Sequence, residues 1–349
     1  MKDQSFERRT VLKGGLLSVA AALGLLPGCS ETGSSPGGAD TGNPDAAGAS
    51  KSLPTGLLGK TGVNIPILGL GTSKLGLYKG ADYDYDHMAR TFSSAVDHGI
   101  RYLDTASGYR RAEEAVGEAI RGRRDEMFVA TKLSTDTREE AQPLFERSLE
   151  RFGTDYVDVL HMHSAGQRNL DVALSKDGVW PYILEQKKAG RARFCGITGH
   201  NNPPNFVKVL QNEEIDVLMC LMNFVDHHTY SFDEVVLPLA RKQNVGVMAM
   251  KVYGGLEAGP SGGFHFYNDP VRHPSQMEVQ FDKNALRDAQ RFAKSLDGVT
   301  GMVIGVFDAE EIQRNVEIAI ETEPFSEEEL VAVLALGQKV SDGWADRYS

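Results

Sequence analysis

The chain has 349 residues, enough for one large barrel domain or for two smaller domains. Its content of 41% hydrophobic and 24% charged residues is ordinary for a globular protein. The formal net charge of −11 argues against nucleic acids and acidic membrane surfaces as partners, because like charges repel.

Residues 1–30 are predicted to be a signal segment that is not part of the folded domain. Arg8 and Arg9 open a stretch that resembles the twin-arginine export motif, and the apolar run over 14–26 is too short to span a membrane comfortably. Residues 26–29 resemble a lipobox, in which Cys29 is acylated and becomes the new N-terminus. A signal peptide cleaved nearby without lipidation is the alternative. We expect export by the twin-arginine machinery and a lipid anchor in the periplasm or cell envelope.

Residues 31–52 are predicted to form a flexible linker. The segment is rich in Gly, Ser, Ala, Pro, Asp and Thr and has almost no large apolar side chain, so it cannot bury a core. Residues 53–349 are therefore expected to form the folded domain. Because twin-arginine export carries folded proteins, it suits an enzyme that binds a soluble cofactor in the cytoplasm.

The pattern after residue 53 starts with a short β-hairpin over residues 57–65 and continues with eight apolar strand-like runs, each followed by a helical pattern. Continuous apolar strands alternating with helices predict an α/β fold, a (β/α)8 TIM barrel with its site at the C-terminal rim. An open doubly wound sheet is the alternative fold. That fold would need a Gly-x-Gly-x-x-Gly turn after the first strand. Gly69 and Gly71 match the first two glycines, but position 74 is Lys74, so the motif is incomplete. Cys195 and Cys220 lie in apolar runs and are expected to be buried, without disulfide or zinc spacing.

Three predicted strands end in chemically active side chains. Asp104 closes one strand and Tyr109 follows five residues later, while Lys132 and His163 close the next two strands. Because neighbouring parallel strands end at the same rim of a barrel, we expect these four side chains to meet.

The chain over about 53–340 resembles the aldo-keto reductase family. The resemblance is carried by residues 68–72, by Asp104-Thr105-Ala106-Ser107-Gly108-Tyr109, by Ala130-Thr131-Lys132, by 155–163 and by Gly196-Ile197-Thr198. It implies an oxidoreductase that transfers a hydride between NADP or NAD and the carbonyl or alcohol group of a small molecule.

The chemistry of carbonyl reduction gives each of the four residues a role. Hydride transfer leaves an alkoxide that must be protonated, and Tyr109 would be the general acid. A free phenol has a pKa of about 10, and the Lys132 ammonium would lower it. Asp104 would hold Lys132, and His163 would orient the substrate oxygen.

The resemblance also implies a set of cofactor-binding residues along the same rim. They are Gly71, Thr72, Thr198, His200, Asn223, Met250, Lys251, Gly305, Arg314 and Asn315. Thr198 falls where the family holds the nicotinamide carboxamide, and Asn315 matches an asparagine on the adenine side.

The segment after the eighth strand departs from the pattern of NADP-dependent members, which place basic residues there. Asp308, Glu310 and Glu311 are acidic, and Arg314 is the nearby cation. A 2′-phosphate would be repelled instead of making charge-assisted hydrogen bonds. We therefore predict a weaker preference for NADP than is usual, and use of NAD.

Two other functions are open at this level. A barrel without turnover could act as a surface-anchored binding module. His161 and His163, on one face of a strand, could be metal ligands of a hydrolase, with help from His200 and Asp104. In metallohydrolase barrels such a pair usually opens the first strand, whereas here it ends the fourth. No metal is therefore expected, and His161 is predicted to lie one layer below the site.

Overall fold

The computed structural model describes residues 52–77, 84–254, 256–258, 264–266, 284–339, 341 and 342. The signal segment with Cys29, and residues 31–51 of the linker, lie outside the described residues, so the predictions for them stay predictions. Within the described part of the chain, no helix is long and apolar enough to cross a membrane.

Eight parallel strands close into a barrel, in the order β12-β3-β4-β5-β6-β7-β8-β9. The strands are β1 (Thr55–Leu57), β2 (Asn64–Pro66), β3 (Leu68–Gly71), β4 (Tyr102–Asp104), β5 (Phe128–Leu133), β6 (Val157–Met162), β7 (Ala192–Gly199), β8 (Val217–Leu221), β9 (Gly246–Met250), β10 (Leu256–Ala258), β11 (Phe264–Phe266) and β12 (Gly301–Gly305). Strands β1 and β2 form an antiparallel hairpin before the barrel, and β10 and β11 form another after β9. The predicted barrel with its preceding hairpin is confirmed.

Helices connect the barrel strands, as the alternating pattern predicts. They are α1 (Ser73–Leu77), α2 (Tyr85–Asp97), α3 (Ala112–Ala119), α4 (Arg138–Phe152), α5 (Leu170–Ala173), α6 (Val179–Lys188), α7 (Pro203–Asn212), α8 (Phe232–Val235), α9 (Leu237–Lys242), α10 (Ala285–Ser295), α11 (Ala309–Glu321) and α12 (Glu327–Lys339). The pattern over 231–242 predicts one helix, but the chain forms α8 and α9. Pro238 lies in the first turn of α9, where its missing N–H costs no helical hydrogen bond.

The interior of the barrel is closed at its N-terminal end by the first hairpin. Leu58 and Ile65 are buried there against the interior side chains, which include a stacked pair, Tyr102 and Phe128, with ring centroids 5.2 Å apart. A Cβ on Gly246 would lie 2.6 Å from Leu58 Cγ, so a glycine is needed for Leu58 to pack. A second apolar core, between the strands and the helices, contains the predicted buried Cys195 and Cys220.

Candidate active site

The register of adjacent strands brings the predicted catalytic residues to one rim of the barrel. Asp104 pairs with Gly71 on one side and with Ala130 on the other, and Lys132 pairs with His161. The loop that carries Tyr109 is tied to the strand that carries Lys132, because Ser107 Oγ donates to the Lys132 carbonyl at 3.0 Å. The four side chains thus come from neighbouring elements.

Lys132 is buried, with only 1% of its surface exposed, and its charge is satisfied by two oxygens. Its Nζ donates to Asp104 Oδ2 at 2.7 Å and to the Thr105 carbonyl at 2.6 Å. A buried ammonium needs such partners, because desolvation without them is very costly. Burial raises the pKa of the Asp104 carboxyl, and the Lys132 ammonium opposes that shift. Asp104 thus holds the Lys132 ammonium at a fixed place at the mouth of the barrel.

Tyr109 lies between this ammonium and an imidazole. The centroid of its ring is 5.1 Å from Lys132 Nζ and 5.9 Å from the centroid of the His163 ring, which meets it edge to face. Removal from water raises the pKa of the phenol, and Lys132 lowers it by less, so the net shift is upward. The expected lowering by Lys132 is present, but burial outweighs it. The phenol keeps its proton at neutral pH, as a general acid must.

His163 is held by a residue that the sequence pattern did not indicate. Its Nδ1 lies 2.6 Å from Ser134 Oγ, two positions after Lys132 on the exit of β5. Burial and the nearby Lys132 lower the pKa of His163 well below its usual value, so the ring is neutral. A neutral ring that accepts the Ser134 hydroxyl at Nδ1 carries its hydrogen on Nε2 and can donate it to a substrate oxygen.

His161 lies below this site in the barrel interior, as predicted. It is fully buried, and neither ring nitrogen makes a well-formed hydrogen bond within the described residues. A Cβ on Gly196 would lie 2.4 Å from His161 Nδ1, so the ring packs directly against the next strand. Burial first, and then Lys132, lower the pKa of His161 well below its usual value. Among the described residues, no group of three His, Cys, Asp or Glu side chains is arranged to hold a metal ion.

The predicted cofactor residues of the first and last barrel strands lie next to Asp104. Gly71 pairs with Gly305, and a Cβ on Gly305 would lie 3.1 Å from Lys74 Cβ. Three buried oxygens at this rim have no hydrogen-bonding partner in the described part of the chain, namely Thr72 Oγ1, Thr105 Oγ1 and Asp104 Oδ1. Because buried polar atoms are normally paired, these orphan oxygens fit a site that receives a polar ligand.

The other half of the rim carries Thr198, His200, Asn223, Met250 and Lys251. Thr198 is buried, and its Oγ1 accepts the Ser164 N–H at 3.4 Å. Burial and the cations Lys251 and Lys132 lower the pKa of His200 to about 3. Met250 is 9% exposed at the end of β9, next to Lys251, whose backbone has a left-handed φ of 55°.

The side chains of Asn223 and Asn315 are buried and hydrogen-bonded within the protein, although both were predicted to contact the cofactor. Asn223 accepts the N–H of Asp226 at 2.9 Å, and its amide donates to the Lys251 carbonyl at 3.0 Å. Asn315 is 3% exposed, and its Oδ1 accepts the Tyr253 hydroxyl at 2.8 Å. Both asparagines hold the loops of the rim, and their contacts with a cofactor stay predictions.

Comparison with known proteins identifies the family. The sequence model described as the Aldo/keto reductase family matches residues 67–260. The chain belongs to the aldo/keto reductase family. The predicted membership is thereby confirmed, and the protein is an NAD(P)-dependent oxidoreductase of this family.

The matches to relatives of this reductase extend over more than half of its chain. It is 27% identical over 296 residues to L-galactose dehydrogenase of Arabidopsis thaliana, covering 76% of this chain and 88% of the relative. It is 28% identical over 223 residues to glycerol 2-dehydrogenase (NADP(+)) of Saccharomyces cerevisiae, covering 57% of this chain and 68% of that protein. The Bombyx mori aldo-keto reductase in complex with NADP superposes with a TM-score of 0.61 at 22% identity, over 81% of this chain and 92% of the other. The last likeness shows the shared fold.

Proposed function

We propose that this reductase transfers a hydride between a nicotinamide dinucleotide and a small aldehyde or ketone, or the corresponding alcohol in reverse, with Tyr109 as general acid or base. The observation that carries the proposal is the buried Lys132 ammonium, which Asp104 fixes at 2.7 Å and which lies 5.1 Å from the Tyr109 ring. A charge in that place stabilises the phenolate that remains after proton transfer.

Each residue of the rim then has a defined task. The Nε2–H of His163 donates to the substrate oxygen and orients the carbonyl carbon. When bound, the dinucleotide supplies the hydride, and Tyr109 delivers its proton to the developing alkoxide to complete the alcohol. The phenolate left behind is balanced by Lys132, whose position is fixed by Asp104 and the Thr105 carbonyl. In alcohol oxidation the same phenolate takes the proton.

We propose that residues of the same rim bind the dinucleotide. The orphan hydroxyl of Thr72, the end of β7 at Thr198 and His200, and the end of β9 at Met250 and Lys251 would contact the nicotinamide half. Lys251 and Lys132 provide positive charge for an anionic ligand in a chain with a net charge of −11. Gly71 and Gly305 lie side by side at the seam between the first and last barrel strands.

The test compares Tyr109, whose ring lies next to Lys132, with Tyr102, which lies in the barrel interior. Tyr109→Phe should lower the reduction rate of an aldehyde panel by about 10²- to 10⁴-fold, while dinucleotide binding is retained. Tyr102→Phe removes the same hydroxyl from the barrel interior, where that hydroxyl has no partner among the described residues, and should leave the rate unchanged. Equal rates for wild type and Tyr109→Phe would refute the assignment. Dinucleotide binding without turnover of any substrate would favour a binding module.

We also propose that the reductase is exported and held at the membrane by a lipidated Cys29. The support is the sequence of the signal segment, with Arg8 and Arg9 before a short apolar run and a lipobox. Cys29→Ser should release the protein from the membrane fraction, and Arg8→Lys together with Arg9→Lys should retain it in the cytoplasm. Labelling with a radioactive fatty acid separates lipidation from simple cleavage, because only a lipidated chain takes up the label.

A further inference from the structure

The loop that carries Tyr109 is fastened to strand β5 on one side and to helix α4 on the other. Ser107 donates twice to the Lys132 carbonyl, from its N–H at 3.3 Å and from its Oγ at 3.0 Å. The Ser107 carbonyl in turn accepts a hydrogen bond from Arg151 Nη1 at 3.4 Å, and Arg151 lies in the last turn of α4. Ser107 therefore connects the backbone of the lysine in the site to a guanidinium in the helix layer.

The charge of Arg151 is balanced by a carboxylate that is shielded from water. The same Nη1 donates to Glu113 Oε2 at 3.1 Å, and Glu113 is 0% exposed. Glu113 Oε1 accepts the Thr131 hydroxyl at 2.7 Å, and Thr131 directly precedes Lys132 in β5. The hydrogen bonds thus leave β5 at the Lys132 carbonyl and return to it at the Thr131 side chain. This closed network ties the loop, α3, α4 and β5 together.

Close packing of two helices brings Glu113 and Arg151 together. A Cβ on Gly117 in α3 would lie 2.5 Å from the Arg151 carbonyl oxygen and 3.0 Å from Phe152 Cα, so only glycine allows α3 and α4 to approach this closely. Glu113 lies four residues before Gly117 and therefore on the same face of α3. The approach at Gly117 thus directs the Glu113 carboxylate towards α4.

The backbone directly after Tyr109 has a conformation that its surroundings must hold. Arg110 has a left-handed φ of 51°, which a residue with a side chain adopts at a cost and keeps only where neighbouring contacts fix it. On the opposite side of the loop, a Cβ on Gly76 would lie 2.9 Å from the Tyr109 carbonyl oxygen, so α1 packs tightly there. Loss of the contact at Ser107 would leave this loop held on fewer sides.

We propose that Arg151 is a positioning residue for the general acid, which it holds beside Lys132 through the Ser107 carbonyl and Glu113. The inference rests on the proposed function, because it takes Tyr109 as the group that transfers the proton. Arg151 touches neither substrate nor cofactor in this role. Its effect arises because a reacting group displaced by about 1 Å costs up to about 10²-fold in rate.

The experiment compares variants of the purified protein that keep or lose the guanidinium. Arg151→Met removes it and leaves the buried Glu113 without a counter-charge. The double variant Arg151→Met with Glu113→Gln removes both charges and keeps an oxygen that accepts the Thr131 hydroxyl, so it provides the test if the single variant fails to fold. Arg151→Lys restores a cation that can donate to the same oxygens. A melting curve of each variant checks folding.

A different arginine on the same helix provides the matched control. Arg191 donates to Glu146 of α4 at 2.7 Å and 2.6 Å, and the two side chains are 33% and 51% exposed. Arg191→Met removes an ion pair of α4 without touching the loop of Tyr109. It should change kcat by no more than about twofold, because exposed pairs contribute little.

The measurements are kcat and KM for the fastest aldehyde of the panel, and the dissociation constants of NADH and NADPH. Arg151→Met and the double variant should lower kcat by about 10- to 100-fold, while KM and dinucleotide binding change by less than about threefold. Arg151→Lys should recover a large part of kcat. In a Tyr109→Phe background, Arg151→Met should lower the residual rate by less than about threefold, because residues that act as a unit are not additive.

A folded double variant with the kcat of wild type would overturn the positioning role. So would a lysine variant as slow as Arg151→Met, an equal loss of kcat in Arg191→Met, or the same fall in rate with and without the Tyr109 hydroxyl. These results leave the proposed carbonyl chemistry standing as long as Tyr109→Phe itself is slow. A Tyr109→Phe enzyme as fast as wild type would overturn both.

Discussion

Ser134 and His163 are joined by a hydrogen bond at the mouth of the barrel, with 2.6 Å between Ser134 Oγ and His163 Nδ1. The two residues come from adjacent strands, because Ser134 follows β5 and His163 follows β6. When the Ser134 hydroxyl donates to Nδ1, the neutral ring carries its hydrogen on Nε2, and that is the tautomer proposed to face the substrate. The same contact also limits rotation of the ring beside Tyr109.

Loss of this hydrogen bond should weaken catalysis more than binding. Ser134→Ala should lower kcat/KM for aldehyde reduction by about 5- to 10-fold, since a hydrogen bond contributes about 1 kcal/mol and 1.4 kcal/mol is tenfold in rate. Ser134→Thr keeps the hydroxyl and should restore most of the rate. Steady-state kinetics of the three proteins check this. A Ser134→Ala enzyme as fast as wild type, or a threonine variant as slow as the alanine variant, would contradict the positioning role.

Removal of one partner of the buried Lys132 and Asp104 pair should destabilise the fold. Lys132→Met leaves a buried carboxylate without a counter-charge, which should reduce the free energy of unfolding by about 3–5 kcal/mol. The double variant Lys132→Met with Asp104→Leu should recover much of that loss. Urea unfolding at pH 7 measures both.

A surface pair provides the matched control for that comparison. Arg138 and Glu185 form an ion pair at the edge of the helix layer, with side chains 33% and 55% exposed. Arg138→Met should change the free energy of unfolding by only about 0–1 kcal/mol, because exposed pairs are well solvated. Equal losses for Lys132→Met and Arg138→Met would mean that burial does not set the cost of breaking the pair.

Acid should destabilise the fold through histidines whose pKa values the fold lowers. The folded-state pKa of His161 lies well below its usual value of about 6.5, because burial and Lys132 oppose its charge. Below pH 6.5 the unfolded chain therefore binds a proton that the folded chain does not. The stabilisation from a neutral His161 is fully present above that pH and is lost progressively as the pH falls towards the folded-state pKa.

Replacement of His161 by Met should flatten this acid dependence. Each such histidine contributes a slope of about 1.4 kcal/mol per pH unit below pH 6.5, and His163 and His200 should add to it, because their pKa values are also lowered. Urea unfolding at pH 7.5, 5.5 and 4.5 compares the two proteins. An acid slope in His161→Met as steep as that of wild type would show that His161 does not carry the effect.

Much of the fold was predictable because its pattern is repetitive. Short continuous apolar runs between turn residues favour strands covered on both faces, and their alternation with helices leaves few topologies. The short helices α1 and α5 were not predicted, since segments of four or five residues have too few turns to show a helical period. The break between α8 and α9 was also missed, because Pro238 can sit in the first turn of a helix as well as end one.

The positions of site residues at the ends of strands were predictable. The contacts that these residues make with distant parts of the chain were not. Asp104, Lys132 and His163 could be placed on one rim from the positions of their strands alone. Two contacts join segments that are far apart in the chain. Lys132 donates to the Thr105 carbonyl, and Lys74 pairs with Glu311. No local pattern marks such contacts.

The sequence by itself determined the family, the eight barrel strands with the long helices between them, and the four residues proposed to carry the chemistry. Only the tertiary structure decided their electrostatics. Lys132 lowers the pKa of Tyr109, yet burial raises it by more. Burial depends on what many distant elements pack around the phenol, and Coulomb energy depends on distances that the fold sets. The sequence identifies the ionisable side chains, and the packing of the barrel sets how far each one shifts the pKa of its neighbours.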